Sequence, residues 1–434
     1  MPEKWVLNQL RGLPLAAKVA KTQIRIREWY EHWNGDVYVS FSGGKDSTVL
    51  AHLVRDMYPE VPLVFSNTGL EYPEIQAFAK KMGAEIIRPK MRFDEVISEY
   101  GYPLISKEVA EAIYYARRIR GGGTARNQKD GGTICRRLKV CGLLTRNTNA
   151  LTSQARERSN DSQQRTRNVD SSTESLTRPE TALIHMGGGY PEGLDFIRRR
   201  MFAGVGEVDE KSMFNKEKWL PLCRDTQFMI SHKCCNAMKK RPIREYQKQT
   251  KRVPFIGTLT EESKLREQAW LKNGCNAFDS RKPTSQPMSF WTEQDVLQYI
   301  KQEGLEIASV YGDIVSADKY GFEYETLPGV ECNLKCSGCQ RTGCVFCGFG
   351  AHLDKGETRF QRLAKTHPKQ YEYCMNGGQW VDNPAYDPTA PEYDGEWKNW
   401  NPKKIWVPSK EGLGMKKVFD DCNAIYGKDF IRYE

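Results

Sequence analysis

The sequence predicts a doubly wound α/β fold built on a parallel sheet. Two observations carry that reading: short β-rich runs alternate with helical patterns from residue 36 onward, and a Gly-rich turn joins the first run to the helix behind it. Strands that alternate with helices need crossover connections, which place helices on both faces of a parallel sheet.

Most of residues 1–35 reads as helix, with Leu15, Val19, Ile26, Trp29 and Trp33 at roughly helical spacing and Asn34-Gly35 closing the segment. Asp36–Phe41 is the first strand and runs into Ser42-Gly43-Gly44. A helix starts near Asp46-Ser47 and carries Val49, Leu50, Leu53, Val54 and Met57 on one side. The arrangement then repeats: strand Val61–Phe65, turn Asn67-Thr68-Gly69, helix Pro73–Met82, and a third strand from Ala84 to Ile87. The pattern breaks after about residue 118, at Gly121-Gly122-Gly123, and residues 144–180 are rich in Ser, Thr, Asn, Gln and Arg without one aromatic. So little apolar surface does not offset ordering entropy, and residues 119–222 are expected to be a mobile, partly disordered insertion. The core resumes with a strand at Val253–Gly257, a helix from Glu261 to Leu271 and another from Thr292 to Ile300.

A chain of 434 residues is long enough for two or three domains. No window approaches 18 consecutive apolar residues, which excludes a membrane-spanning helix. The start, MPEKWVLNQL, has no apolar core of a secretion signal, so a cytoplasmic location is expected. The net charge of +10 permits an anionic partner without specifying one. Of 13 cysteines, Cys332, Cys336, Cys339, Cys344 and Cys347 crowd into one short segment, and Cys234 and Cys235 are adjacent. In a reducing compartment such clustering points to metal or redox chemistry rather than disulfides. Cys135, Cys141, Cys223, Cys275, Cys374 and Cys422 are scattered and read as buried small hydrophobes.

Ser42-Gly43-Gly44-Lys45-Asp46-Ser47 is the strongest chemical signal. Two glycines let the backbone turn tightly and aim its N–H groups at an anion. The helix N-terminus adds partial positive charge, Lys45 a full one, and Ser42 and Ser47 add hydroxyl donors. The spacing is neither that of a Walker loop nor that of a dinucleotide fingerprint.

This loop resembles the PP-loop of ATP pyrophosphatases, the adenine nucleotide alpha hydrolase-like enzymes that cleave ATP between its α and β phosphates. The chain around it is similar to the phosphoadenosine phosphosulfate (PAPS) reductase family, which shares their Rossmann-like fold. Phe65-Ser66-Asn67-Thr68-Gly69 with Tyr72-Pro73-Glu74 resembles the family's second strand and turn, beside the adenosine. Gly257–Ser263 with Arg266 resembles its Gly-x4-Glu-Ser-x2-Arg segment, and Trp291–Val296 its Trp-Thr-x2-Asp-Val helix start. The resemblance implies that Ser42, Gly43, Gly44, Lys45, Asp46, Ser47, Thr68, Gly69, Glu262 and Ser263 bind an adenine nucleotide, with Lys45, Asp46 and Arg266 catalytic. Residues 1–118 and 223–330 are then two halves of one nucleotide-binding domain, and 331–434 is a Cys-rich segment with an aromatic tail. Each motif residue also has an ordinary structural reading. Thr68 suits a helix cap, Glu262 and Arg266 a surface i,i+4 pair, Asp295 a first-turn acid and Trp291 a core position.

Four thiolates supplied as Cys234-Cys235 and Cys344-x2-Cys347 satisfy a tetrahedral zinc site or a four-iron cluster equally well. The arrangement resembles the [4Fe–4S] ligation of adenylylsulfate reductases, which implies iron, with zinc as the alternative. Cys332, Cys336 and Cys339 have the spacing of a radical S-adenosylmethionine motif but none of the repeated βα units of a barrel. A second metal, ligand exchange with Cys344 and Cys347, or a small zinc knuckle remain open for them.

Two enzymatic outcomes follow from the resemblance. One is cleavage of ATP, with Mg²⁺, to adenylylate an acceptor and support sulfur transfer. The other is thiol-dependent reduction of adenylylsulfate or PAPS. The intact Lys45-Asp46 pair favours the first, and Asp420-Asp421-Cys422-Asn423 departs from the Glu-Cys-Gly-x-x-His nucleophile of the reductases. Either needs a sulfur or electron donor protein. The acceptor is left open among sulfate, a tRNA base and the DNA backbone. A third reading is a non-catalytic zinc protein that binds nucleic acid through Lys239-Lys240-Arg241 and Trp380, Trp397, Trp400 and Trp406.

Overall fold

The computed structural model describes residues 3–117, 216–317, 333–390 and 400–434. Its strands, in chain order, begin with β1 (Val37–Phe41), β2 (Leu63–Ser66), β3 (Glu85–Ile87), β4 (Leu104–Ile105) and β5 (Val253–Ile256). They continue with β6 (Asn276–Ala277), β7 (Thr284–Ser285), β8 (Ile314–Ala317), β9 (Asn333–Cys336) and β10 (Gly348–Phe349). The chain divides into two units, one of Met1–Lys107, Phe228–Val381 and Ile405–Glu434, the other of Glu108–Gln227 and Asp382–Lys404.

The first unit holds a six-stranded sheet in the order β3-β2-β1-β5-β7-β6. All pairs are parallel except β6 with β7. Val39 lies opposite Leu63 on one side of β1, and Val37 opposite Val253 on the other. Val37, Tyr38, Val39, Leu63 and Val64 have no exposed surface, as expected for strands covered on both faces, and this explains their unbroken apolar sequence. The expected Rossmann-like α/β architecture is the observed one. The chain walks outward from β1 to β2 to β3, then returns to β5 on the far side of β1. Strand order therefore reverses between β1 and β5, and ligands of open α/β sheets bind at the carboxyl ends of strands at such a point. Two smaller pairings, β8 with β9 and β4 with β10, bring the Cys-rich segment into this same unit.

Two elements differ from the sequence expectation for identifiable reasons. The N-terminal helical stretch is two helices, Lys4–Arg11 and Leu15–His32, separated at Gly12-Leu13-Pro14. The buried stripe of the second helix is Lys18, Thr22, Ile26 and Trp29, half of it polar, while Leu15 and Val19 are only half-buried. The polar members have partners: Thr22 Oγ1 accepts from Trp291 Nε1 at 2.9 Å, and Lys18 Nζ lies 2.6 Å from Asp295 Oδ2. The helix expected from Glu261 starts instead at Lys264, because Ser263 is fully extended and serves as its N-cap behind a 3₁₀ turn at Thr260–Glu262.

In the second unit, the buried Arg117 guanidinium donates to the carbonyls of Leu222 and Cys223 at 2.8 Å each, and the Trp400 ring centroid lies 4.4 Å from it. Trp400 is therefore a packing residue. Trp380 is exposed and Trp397 lies outside the described residues. Most of the expected insertion, residues 118–215, also lies outside them, while 216–222 belong to a short turn and helix. Among the described residues no helix is long and apolar enough to cross a membrane.

Asp295 closes a capping box with Thr292, accepting from the Thr292 amide at 2.6 Å, and Lys18 neutralises it with only 3% of the Lys18 side chain exposed. Removing one partner of a buried pair leaves the other uncompensated. Lys18→Met is expected to lose about 3 kcal/mol in urea unfolding. Adding Asp295→Asn should then cost less than the sum of the two single changes.

Candidate active site

Ser42-Gly43-Gly44 links β1 to the helix Lys45–Met57. Gly43 has φ +70°, and a Cβ there would stand 2.7 Å from Ile75 Cγ2, so only glycine fits. The loop is braced from within. Ser47 Oγ accepts from the Ser42 amide at 3.2 Å and donates to the Gly44 carbonyl at 2.9 Å, and Ser42 Oγ accepts from the Gly44 amide at 3.3 Å. Both hydroxyls thus hold the loop in shape. From across the sheet, Gly257 at the end of β5 presses on the same backbone. A Cβ on it would come within 2.9 Å of the Asp46 carbonyl oxygen.

A cavity of about 530 Å³ opens over this loop, at the point where strand order reverses. Its wall carries three cations, Lys45, Lys239 and Arg341, and carboxylates that include Asp46, Glu71, Glu262 and Glu293. Lys45 is 6% exposed, its Nζ lies 2.9 Å from Glu293 Oε1, and the Tyr311 ring centroid is 5.6 Å away. Burial pushes the Asp46 carboxyl above its ordinary range, against the pull of Lys45. Arg266 stands behind this wall, ion-paired with Glu262, and its charge acts on Asp46. Arg341 Nη2 reaches the other Glu262 oxygen at 3.4 Å.

The remaining motif residues shape the rim. Thr68 gives both its amide and its hydroxyl to Glu71, at 3.0 and 2.8 Å, rather than capping the helix at Pro73. Gly69, at φ +74°, turns the chain, and Ser263 Oγ accepts the Arg266 amide at 3.3 Å. Trp291 and Asp295 belong to the core and the helix cap described above. Sequence reasoning missed Glu293, Tyr311, Arg341 and Thr342 as cavity residues. Arg341-Thr342 sits between Cys339 and Cys344 and carries no local sequence signal of its own. Lys239 was visible only as part of a basic run.

The four cysteines expected to act together are neighbours. Cys234 Sγ and Cys235 Sγ are 4.0 Å apart, and both lie within electrostatic reach of Cys344 and Cys347. The loop that carries Cys344 and Cys347 is pinned to the turn after β2 by the Val345 amide, 2.8 Å from the Leu70 carbonyl. The Cys234 contact brings the Cys235 thiol down to about 6, while Cys234 is pushed up by that same contact, by burial and by its sulfur neighbours. Burial pushes Cys344 up to about 11 against the pull of Lys239. Four buried or partly buried sulfurs flanked by Lys107, Lys239 and Arg359 are a donor set chemically suited to a thiolate-bound metal centre. Among the described residues no three such donors are drawn in to metal-binding distance. Cys336 and Cys339 stand elsewhere: Cys336 lies beside Lys45, and Cys339 beside Tyr72 and Arg362. Cys332, Cys135 and Cys141 lie outside the described residues, and Cys223, Cys275, Cys374 and Cys422 are buried.

A mostly parallel α/β sheet with a glycine-rich strand-to-helix loop and a cavity at its switch point defines a nucleotide-binding class. The sequence matches the family model of the phosphoadenosine phosphosulfate reductase domain over residues 36–144 and 204–348, more than half of the chain. The protein belongs to that family, nucleotide-binding enzymes of sulfur metabolism. No curated protein matches the chain.

Because burial raises the folded-state pKa of Asp46, the native protein holds that proton more tightly than the unfolded chain does. The charged carboxylate therefore opposes folding above its native pKa, and the penalty disappears once pH falls below the unfolded value of about 3.9. Asp46→Asn is expected to be more stable than wild type at pH 7 and equal to it below about pH 4, as read by denaturant unfolding at the two pH values.

Proposed function

We propose that this protein binds ATP in the switch-point cavity and cleaves it between the α and β phosphates, adenylylating an acceptor for sulfur transfer. The observation that carries the reading is the state of Lys45: nearly buried at the helix start, with Nζ 2.9 Å from the half-exposed Glu293. A phosphate can take the place of the Glu293 carboxylate without moving the lysine. In the reaction an acceptor oxygen attacks the α-phosphorus, the bond to the bridging oxygen breaks, and pyrophosphate leaves with the electron pair. There is little covalent chemistry for the protein to do, so catalysis is positioning and charge neutralisation. The helix start and Lys45 would face the phosphates, Arg341 adds a further cation on the cavity wall, and Arg266 holds Glu262 in place. Mg²⁺ would be held among Asp46, Glu262 and Glu293 and would offset phosphate charge.

Cys234, Cys235, Cys344 and Cys347 would hold a [4Fe–4S] cluster, which when bound supplies iron for sulfur chemistry or an electron. Lys239 supports this assignment, since it faces both Cys344 and, at 3.6 Å, Glu71 on the nucleotide cavity wall. A sulfur or electron donor protein and an acceptor, a small anion or a nucleic acid, complete the reading. Family membership favours a second reading, reduction of adenylylsulfate or PAPS. Against it, the cysteine nearest the C-terminus, Cys422, is fully buried in the helix Met415–Tyr426, and burial pushes its thiol up to about 12.

Competitive equilibrium binding to anaerobic protein with Mg²⁺ is expected to rank ATP above adenylylsulfate and PAPS. Lys45→Met should weaken ATP at least tenfold, about 1.4 kcal/mol. Preference for adenylylsulfate or PAPS would make the protein a reductase. Iron with acid-labile sulfide is expected in the same preparation and absent from Cys344→Ser; zinc without sulfide overturns the cluster.

A further inference from the structure

Tyr311 ends the short turn Ser309–Tyr311 ahead of β8 and is buried. Its hydroxyl stands over the phosphate loop. A Cβ on Gly44 would lie 3.5 Å from it, and the Lys45 backbone amide is within hydrogen-bonding reach. On its other side the hydroxyl meets Thr342 Oγ1 at 2.6 Å. Burial pushes the phenol above its ordinary range, so it stays neutral with one proton to give.

Counting protons fixes the direction of the Tyr311–Thr342 contact. Two hydroxyls hold two protons, and the bond between them uses one. The Lys45 amide can only donate, so the phenol oxygen is already its acceptor. If Thr342 donated to that oxygen as well, the phenol proton would be left inside the protein without a partner, at the full desolvation cost of a buried donor. With Tyr311 donating, the proton left over belongs to Thr342, a half-buried residue on the wall of the nucleotide cavity. Among the described residues Tyr311 is the one partner of the Thr342 hydroxyl.

Several other donors of that wall are already engaged. Ser47 donates to the Gly44 carbonyl at 2.9 Å, and Ser42 Oγ lies 3.0 Å from Ser47 Oγ. Lys45, Lys239 and Arg341 each face a carboxylate. A phosphate must displace a carboxylate to gain one of these cations, whereas at Thr342 it meets a donor with no protein acceptor to give up. The chain that carries Thr342 is also fixed in place. The Gly338 amide donates to the Tyr311 carbonyl and the Cys339 amide to the Val310 carbonyl, both at 2.9 Å. A Cβ on Gly338 would stand 2.6 Å from the Val310 carbonyl oxygen, so the two backbones must run flush there.

We propose that Thr342 is a phosphate-binding residue of the nucleotide cavity, its hydroxyl donating to a phosphate oxygen of the bound nucleotide, and that Tyr311 is the positioning residue that orients it. The ligand class rests on the nucleotide reading above; the donor rests on the hydroxyl pair and its place on the wall. A hydroxyl that donates to a charged phosphate makes a stronger bond than one between neutral groups.

The test is equilibrium binding of ATP, with Mg²⁺, to anaerobic full-length protein. Thr342→Val keeps the shape of the side chain and is expected to weaken ATP about tenfold, the loss of one hydrogen bond to a charged group. Thr342→Ser keeps the hydroxyl and should stay within about twofold of wild type. Thr342→Val also strands the buried phenol, and a merely structural defect of that kind is relieved when the phenol is removed too. The double variant Tyr311→Phe, Thr342→Val is therefore expected to bind as weakly as Thr342→Val, while Tyr311→Phe alone loses about threefold. Recovery of affinity in the double variant, an equal loss in Thr342→Ser, or unchanged binding in Thr342→Val overturns the phosphate contact. Full affinity in Tyr311→Phe overturns the positioning role. Should the wild type prefer adenylylsulfate or PAPS, the same variants are titrated with that ligand, so the ATP reading fails in the wild type and this assignment fails in the variants. A wild type that binds none of the three overturns both.

Discussion

The site depends on one close approach: the backbone of Gly257, at the end of β5, against the backbone of Asp46 and Ser47 at the start of the helix after β1. Parallel pairing of β1 with β5 brings these two strand ends side by side, and the return of the chain across β1 makes them diverge above the sheet. The cleft between them is where the helix start opens onto the cavity. A side chain at residue 257 would push these backbones apart, and one at residue 43 would strike Ile75, so both glycines are required by distance. Lys45 is buried because it begins a helix wedged into this junction, and its charge then needs a partner, which Glu293 supplies from the start of another capped helix. That helix is fixed in turn by Asp295, Thr292 and Lys18. A chain of capping and pairing contacts thus runs from the N-terminal helix to the phosphate loop.

The cavity wall holds more acids than bases: Lys45, Lys239 and Arg341 stand among Asp46, Glu71, Glu261, Glu262 and Glu293. The cations each have a carboxylate partner: Lys45 with Glu293, Lys239 with Glu71, and Arg266 and Arg341 with Glu262. Burying a charge without a partner is costly, which is why the buried Lys45 is paired. Burial works against the ionisation of Asp46, which lies on the same wall.

The sheet and its loop were legible because both are local. Strands covered on two faces need continuous apolar runs, and the loop needs two glycines, a lysine and a serine in fixed order, all of which a short window contains. The buried stripe of Lys18 and Thr22 was not legible, since hydrophobic periodicity passes over polar core residues whose partners, Asp295 and Trp291, lie more than two hundred residues away. The start of the helix at Lys264 was missed for the opposite reason: Glu261 and Glu262 look like a first turn, but Ser263 is the residue able to cap. Tyr311 and Arg341 enter the cavity through the pairing of β8 with β9, a long-range contact with no local signature. The placement of Cys336 and Cys339 apart from Cys344 and Cys347 has the same origin. Equal spacing in sequence does not reveal that the chain turns between them.

That turn gives residues 336–347 their importance. Cys336 ends β9 beside Lys45, Cys339 enters a separate cavity, Arg341 and Thr342 wall the nucleotide cavity, and Cys344 and Cys347 join Cys234 and Cys235. Tyr311 is the common anchor. Its carbonyl accepts from Gly338, its hydroxyl meets Thr342 at 2.6 Å, and its ring underlies Lys45. A segment tied at so many points over a dozen residues has few internal degrees of freedom. The two cavities and the four-cysteine neighbourhood are thus joined by one short backbone segment, held in place where Tyr311 anchors it.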